Sequence, residues 1–328
     1  MYIYPMQQSV KTKKIGILLL NLGGPETPED VRPFLYNLFS DRQIIQLGPA
    51  LLQKPIAALI ARRRAPKSIE NYRKIGGGSP ICKITTRQAE ALARSLAEDG
   101  DFMVLSCMRY WHPFAEPVIR KMAHAGVSEL IGLPLYPHYS KATSGSSFHD
   151  LQQQELKHNF NLPVREIRSW PTEPEYINCL ASRIREGIEL FDEPPQVVYS
   201  AHSLPKKFID EGDPYVQEIK LTIAAVEQQT AQQGKLCYQS RSGPVEWLEP
   251  STPDMLKQLA DQGCKNILMV PISFVSDHIE TLYEIDMLYK GQAEKLGMRL
   301  ESTRALNDDP QFIAALRNLV LSATTSPL

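Results

Sequence analysis

The sequence predicts an α/β protein of two similar halves, each a doubly wound parallel sheet, with the two sheets facing one cleft. Three observations carry this. Short apolar runs that read as strands buried on both faces alternate with helical patterns along nearly the whole chain, the order that gives parallel sheets flanked by helices. Polar and acidic clusters fall where those runs end, which is where open α/β sheets place ligands. A faint internal repeat is also present. Gly126 and Pro134, leading to Ser140, match Gly263 and Pro271, leading to Asp277, at one constant offset.

At 328 residues the chain is comfortable for two such units, and 43% hydrophobic residues support a sizeable core. A formal net charge of −1 gives no argument for nucleic acid. The five cysteines, Cys82, Cys107, Cys179, Cys237 and Cys264, are scattered and form no C-x-x-C pair. Neither a disulfide framework nor a zinc or iron–sulfur signature is visible, and the pattern suits a reducing compartment. The first residues, MYIYPMQQSVKTKK, show no apolar leader. No run approaches the ~20 apolar residues of a spanning helix. A soluble cytoplasmic protein is expected, with peripheral contact at an inner membrane surface as an option.

Residues 14–20, KIGILLL, read as the first buried strand. Gly23-Gly24-Pro25 turns out of it, and Thr27 and Pro28 suit a helix start. Val31, Phe34, Leu35 and Leu38 then fall on one helical face. The glycines lack the G-x-G-x-x-G spacing and no Lys-Ser/Thr follows, so close backbone approach is the better reading than a phosphate cradle. Residues 46–61 are apolar on much of their surface; Leu51, Leu52, Ile56, Leu59 and Ile60 fit a core, an exposed lip or a bilayer contact. Arg62, Arg63, Arg64 and Lys67 follow. They read either as a solvated face or as a guanidinium fork beside an apolar wall. Gly76-Gly77-Gly78-Ser79-Pro80 is a loop, and 85–99 a helix.

Further strands are expected at 102–108, 130–135, 164–167, 196–200, 235–240 and 298–303, and helices at 114–124, 143–156, 173–191, 214–233, 253–261 and 310–321. A boundary near 161–170 divides the chain into halves 1–165 and 166–304, with the C-terminal helix, 305–328, returning to the first half. The chain is organised around 266–289, NILMVPISFVSDHIETLYEIDMLY. A buried strand over 267–272 runs into a polar turn and then a helical pattern. Asp277, Glu280 and Glu284 fall at i, i+3 and i+7, on one helix face, with His278 one position round. Asp277 and Glu280 also fit a D-x-x-E capping box, which needs no ligand; Glu284 lies beyond it.

His202 stands in a polar turn at the end of a buried strand. A neutral imidazole there can accept a proton or bind a transition metal. Carboxylates opposite it make a mixed N/O site suited to Fe²⁺, Zn²⁺ or Co²⁺. No H-x-x-x-H spacing occurs, so such a site is weak and open, suited to passing a metal on. The residues alone support a metal-handling or acid–base cleft in a two-domain α/β protein.

Longer motifs go further. LLLNLGGPETPEDVRPFL, YRKIGGGSPI, LYPHYS, TSGSS, SAHSLPKKF with EGDPY, QSRSGPVEWLEP and VPISFVSDHIETLYEID stand in this order over nearly the whole chain. Together they resemble the ferrochelatases, which insert ferrous iron into a porphyrin to make haem. The resemblance implies two Rossmann-like halves facing a common cleft, the class II chelatase-like arrangement, with the porphyrin between them. It implies that His202 accepts pyrrole protons, binds metal, or both. Glu280 shares the metal, and Asp277, His278 and Glu284 form a polar path away from it. Arg63, Arg64, Ser79, Tyr72 and Tyr110 correspond to positions near the propionates, and Leu22 to an apolar position over the ring. The implied partners are protoporphyrin IX and Fe²⁺, with no nucleic acid. No cofactor beyond substrate Fe²⁺ is implied. Some relatives carry a [2Fe–2S] cluster, but SATTSPL holds no cysteine and Lys141 stands where clustered homologues place one, so no cluster is expected; the missing C-terminal extension of the longer enzymes makes a monomer the expectation over their dimer. The competing readings are coproporphyrin as substrate, cobalt insertion into a corrin precursor, a porphyrin or haem carrier without turnover, and a dinucleotide oxidoreductase, which the missing glycine fingerprint disfavours.

Overall fold

The computed structural model describes residues 13–241, 243 and 245–325. The expectation of no leader falls on 1–12, and part of the expected C-terminal segment on 326–328, outside the described residues. The first sheet holds β1 (Ile15–Asn21), β2 (Phe102–Met108), β3 (Glu129–Pro134) and β4 (Val164–Glu166), all parallel, in the order β2-β1-β3-β4. The second holds β5 (Gln196–His202), β6 (Gly234–Gln239), β7 (Asn266–Pro271) and β8 (Arg299–Ser302), also parallel, in the order β6-β5-β7-β8. The two orders are the same, which gives two Rossmann-like halves.

Central strands are apolar on both faces because helices cover both faces. On β1, Ile17 and Leu19 pack towards Ala89 and Leu92 of α3 (Ile81–Ser95). Leu18 and Leu20 pack towards Val118, Ile119 and Met122 of α4 (Ala115–His124). On β7, Leu268 and Val270 share the core of α6 (Pro174–Ile188), whereas Ile267 and Met269 meet Leu256 and Leu259 of α9 (Thr252–Asp261). The internal repeat has a structural counterpart. Gly126 and Gly263 turn into β3 and β7 at φ +78° and +77°, values that favour glycine. Both strands hold the same place in their sheets, and each leads on to a π-helical segment, Lys141–Gly145 after β3 and Glu280–Tyr289 after β7.

The last helix, α11 (Pro310–Thr325), joins the two halves. It packs on α3 and on α6. Its Phe312, Ile313, Leu316 and Val320 belong to one buried cluster that also contains Ile17 of the first sheet and Val270 of the second. Polar ties fix the same interface. Asp213 accepts from Ser140 Oγ (2.9 Å) and the Lys141 N–H (2.8 Å). Glu218, on α8 (Tyr215–Thr230), accepts from the Tyr139 N–H at 2.6 Å. Gln88 Nε2 donates to the Asn307 carbonyl at 2.7 Å and to Ser276 Oγ at 3.1 Å.

Between β1 and β2 lies the expected lip. α1 (Val31–Ser40) packs on α2 (Gln53–Lys74) through small residues, with Ala57, Ala61 and Ala65 buried at a spacing of one turn. The core reading of 46–61 is corrected: Leu51 is 92% exposed and Leu59 52%. The expected helix at 85–99 starts earlier, at Ile81, directly after Pro80 closes the glycine loop. That loop explains the early glycines. A Cβ on Gly24 would lie 2.7 Å from Ser79 Cβ, and one on Gly78 would lie 2.1 Å from the Glu26 carbonyl oxygen. The two turns need glycine because their backbones press on each other.

Because α11 completes a core shared by both sheets, Leu316→Ala is expected to destabilise the whole chain by about 2–5 kcal/mol. Denaturant unfolding followed by tryptophan fluorescence and far-UV circular dichroism should then show coincident transitions, with neither half surviving the other.

Candidate active site

β7 ends in Pro271, and the turn after it delivers the π segment to the cleft. Within that segment, whose bonding is i→i+5, Glu280, Thr281, Ile285 and Tyr289 are buried. Glu280 and Glu284, four residues apart, sit on one face of the segment. The α-helix expected from the carboxylate spacing is corrected to this wider turn, and the capping box does not form. Thr281 Oγ1 takes the His278 N–H at 3.1 Å. The Glu280 carboxylate instead accepts from His202 Nδ1, at 3.0 and 2.9 Å to its two oxygens, and from Gln239 Nε2 at 3.0 Å.

His202 closes β5. Its N–H donates to Ser273 Oγ at 3.1 Å, and the Tyr215 hydroxyl donates to its carbonyl at 3.0 Å. Tyr215 and Ser273 are themselves joined at 2.6 Å. The histidine backbone is thus held from both sides before its ring meets Glu280. Phe274 places its ring edge-on to His202, with centroids 6.1 Å apart, and tilts over His278 at 4.2 Å.

The charges are staggered. Burial works against the His202 cation, but the Glu280 carboxylate outweighs it and raises the imidazole pKa. Burial works against the Glu280 anion, and His202 beside it, with His278 and the Gln239 amide, holds its pKa below the usual value. Glu284 is pushed up to about 7, by burial first and then by the Glu280 charge. Ser240 Oγ donates to Glu284 at 2.6 Å. His278 is 3% exposed, and its pKa is lowered mainly by burial. Its Nδ1 donates to the Ser276 carbonyl at 3.0 Å, which leaves a lone pair on Nε2 with no hydrogen-bond partner among the described residues.

A cavity of about 230 Å³ gathers Leu22, Phe34, Leu38, Tyr72, Ser79 and Ile81 from the first half with His278, Ile279, Glu280 and Glu284 from the second. Leu22, Tyr72, Ser79, His278, Glu280 and Glu284 are all candidates from sequence, and the structure brings them together. His202 does not line this cavity; its side chain is 34% exposed and meets Glu280 through Nδ1. Lys74 Nζ lies 4.9 Å from the centre of the Tyr283 ring, so α2 touches the π segment.

Other candidates lie elsewhere. Arg63 and Arg64 are exposed on α2, the Arg64 guanidinium 5.3 Å from the centre of the Phe39 ring. Neither lines the cavity. Tyr110 is 1% exposed, and its hydroxyl is 2.6 Å from Asp41 Oδ2 and 3.0 Å from Ser146 Oγ, in a buried network with Arg109. Asp277 faces away from the row: Asn307 Nδ2 donates to it at 2.8 Å, and it lines a separate cavity with Asp286, Asp308 and Asp309. Gln239, Ser240, Tyr215 and Ser273 are not candidates from sequence. For Gln239, Ser240 and Ser273 the signal is position alone, as polar residues at the carboxyl ends of strands or in the turns that follow; Tyr215, at the start of α8, carries none.

A family model described as Ferrochelatase matches residues 14–324. The chain belongs to the ferrochelatase family. A ferrochelatase of Desulfotalea psychrophila is 58% identical over 312 residues, covering 95% of this chain and 98% of the relative. A ferrochelatase of Geotalea uraniireducens is 47% identical, covering 96% and 99%. Among solved structures, CbiX, described as the terminal enzyme for biosynthesis of siroheme in denitrifying bacteria, superposes with a TM-score of 0.55 at 11% identity, covering 95% of this chain and 99% of that one. SirB from Bacillus subtilis with Fe³⁺ gives 0.54 at 11% identity, covering 95% and 96%. These two likenesses show the ferrochelatase chain's two-half fold, at an identity too low to bear on its substrate.

The raised pKa of Glu284 has a stability consequence. The folded state holds this proton above the ordinary carboxylate range, so folding loses stability as pH rises through that window and is flat beyond about 7. Glu284→Gln removes the titration. The wild-type melting temperature should fall relative to that of Glu284→Gln between about pH 5 and about pH 8, read by thermal melts in matched buffers.

Proposed function

We propose that this chain inserts Fe²⁺ into protoporphyrin IX and releases two protons, the metal-inserting step that makes haem. The observation that carries the reading is the His202–Glu280 pair, fixed at the strand ends beside an apolar cavity lined from both halves. The family assignment supports it.

The chemistry follows from the groups. Iron arrives hydrated and must lose water; the two pyrrole N–H bonds must break as the two new iron–nitrogen bonds to those nitrogens form. Glu280, kept ionised, and the imidazole of His202 offer one carboxylate and one nitrogen to the metal, a weak N/O set from which a porphyrin can take it. His202 freed from proton or metal, and His278 through its Nε2 lone pair, can take pyrrole protons. A pyrrole N–H is a far weaker acid than an imidazolium, whose reference pKa is about 6.5. Distortion of the ring, which exposes the nitrogen lone pairs, lowers that barrier. Glu284, poised near neutrality beside the ionised Glu280, can take up and release a proton.

At about 230 Å³ the cavity is smaller than the roughly 300–1,000 Å³ of small-molecule clefts. A flat macrocycle therefore enters by parting α2 from the π segment, at the Lys74–Tyr283 contact. Arg63 and Arg64 on α2 then meet the propionates at the rim, and Tyr110 supports the wall from behind. Among the described residues no helix is long and apolar enough to cross a membrane. Leu51, Leu52 and Leu59, exposed beside Arg62 and Arg63, support peripheral contact with an inner membrane by a cytoplasmic monomer. No cofactor beyond substrate iron enters the proposal. Cys82 and Cys237 are pushed up to about 11, chiefly by burial, which suits inert thiols rather than cluster ligands.

The test is an anaerobic absorbance assay with protoporphyrin IX and Fe²⁺ on wild type and His202→Ala. Haem formation by the wild type and its loss in the variant, with porphyrin binding kept, is the expected result. Binding without metallation would point to a carrier, and metallation of coproporphyrin alone would change the substrate. Zn²⁺ should also be inserted, because an N/O pair discriminates poorly among first-row metals; a refusal of zinc would mean a more selective site.

A further inference from the structure

One end of the Glu280 carboxylate is held by a residue that does not itself line the cavity. Gln239 is the last residue of β6 and is 2% exposed. In the β5–β6 ladder it lies directly beside His202. Its Nε2 donates to Glu280 Oε2 at 3.0 Å. Its Oε1 accepts from Ser200 Oγ, on β5, at 2.6 Å. Its backbone carbonyl accepts the Ser203 N–H at 2.8 Å, which pins the strand end next to His202.

The direction of the amide is forced. Turned the other way, Oε1 would face a carboxylate oxygen at 3.0 Å, two acceptors in contact. Gln239 therefore presents an N–H to Glu280, and its Oε1 is left to accept from Ser200 Oγ, which ties the far side of the amide to β5. His202 Nδ1 is shared between both carboxylate oxygens, so by itself it leaves the carboxylate free to pivot. The Gln239 amide takes one oxygen and removes that freedom. Ser240, the next residue, takes Glu284 in the same way at 2.6 Å.

We propose that Gln239 is a positioning residue for metal insertion: it fixes the plane of the Glu280 carboxylate so that the remaining lone pairs face the incoming ion. The proposal rests on reading Glu280 as a metal-binding group. Partners of this kind, which orient a ligand without touching the metal, typically govern metal affinity by about 10–100-fold.

The experiment is steady-state insertion of Zn²⁺ into protoporphyrin IX by the full chain, with metal and porphyrin varied separately, on Gln239→Leu, Gln239→Glu, Ser200→Ala and Glu280→Gln. Gln239→Leu should raise the metal KM by about 10–100-fold and leave the porphyrin KM unchanged. Ser200→Ala should raise it in the same direction by less. Gln239→Glu should be at least as damaging as Gln239→Leu, because it sets a second carboxylate against Glu280. An unchanged metal KM in Gln239→Leu and Ser200→Ala, with Glu280→Gln impaired, would overturn the positioning role alone. An unchanged metal KM in Glu280→Gln would remove the reading on which it rests. Metal binding by Gln239→Glu as good as in wild type would make residue 239 a ligand in its own right and overturn the proposal too. If Gln239→Leu does not fold, Ser200→Ala and Gln239→Glu decide the matter.

Discussion

Glu280 is 8% exposed and carries a charge at the floor of a cleft. Such a charge is costly unless it is paired and hydrogen-bonded. Much of the second half is arranged to meet that demand. The parallel ladder puts His202 and Gln239 side by side at the ends of β5 and β6. The turn after β7 brings Glu280 down between them, and Glu284 follows one turn on along the same face, held by Ser240. The same partners that make the charge tolerable leave it an ionised donor, the state in which a carboxylate binds a metal. Stability and chemistry here are one requirement.

The internal repeat shows what the two halves do with one plan. β3 and β7 occupy equivalent places, each entered through a left-handed glycine and each followed by a π-helical segment. In the first half the strand end gives Ser140 and Lys141, whose groups go to Asp213 and lock the halves together. In the second half the equivalent place is Asp277, from which the chain goes on to His278 and Glu280. One strand end became glue and the other a site.

Much of this was legible in the sequence, for identifiable reasons. A strand buried on both faces leaves an unbroken apolar run, so β1 and β7 stand out. Polar groups at strand ends point to the cleft, so His202 and Glu280 stand out too. What was not legible was winding and aim. The spacing of Asp277, Glu280 and Glu284 fits an α-helix, and nothing in a one-dimensional pattern announces i→i+5 bonding or that the helix starts only after Asp277, which stays in the turn and pairs with Asn307. Leu51, Leu52 and Leu59 fit a core, a lip or a bilayer contact equally well by sequence; in the structure alanines make the close helix contact of α2 and these leucines are exposed. Tyr110 follows a strand end as site residues do, but its hydroxyl is claimed by Asp41. Gln239 could not be singled out, because a lone glutamine carries no spacing; its meaning comes from the ladder that sets it beside His202.

α11 carries a consequence for how the molecule is made. Its apolar face completes a core that includes β1, so residues near the start of the chain are covered by residues near position 316. During synthesis the first sheet emerges long before its cover, and its apolar surface waits through the making of the entire second half. Until α11 clears the ribosome, a nascent chain of this design carries that uncovered apolar surface, the kind on which incomplete chains aggregate. The order of manufacture, and not only the final packing, is written into the position of this helix.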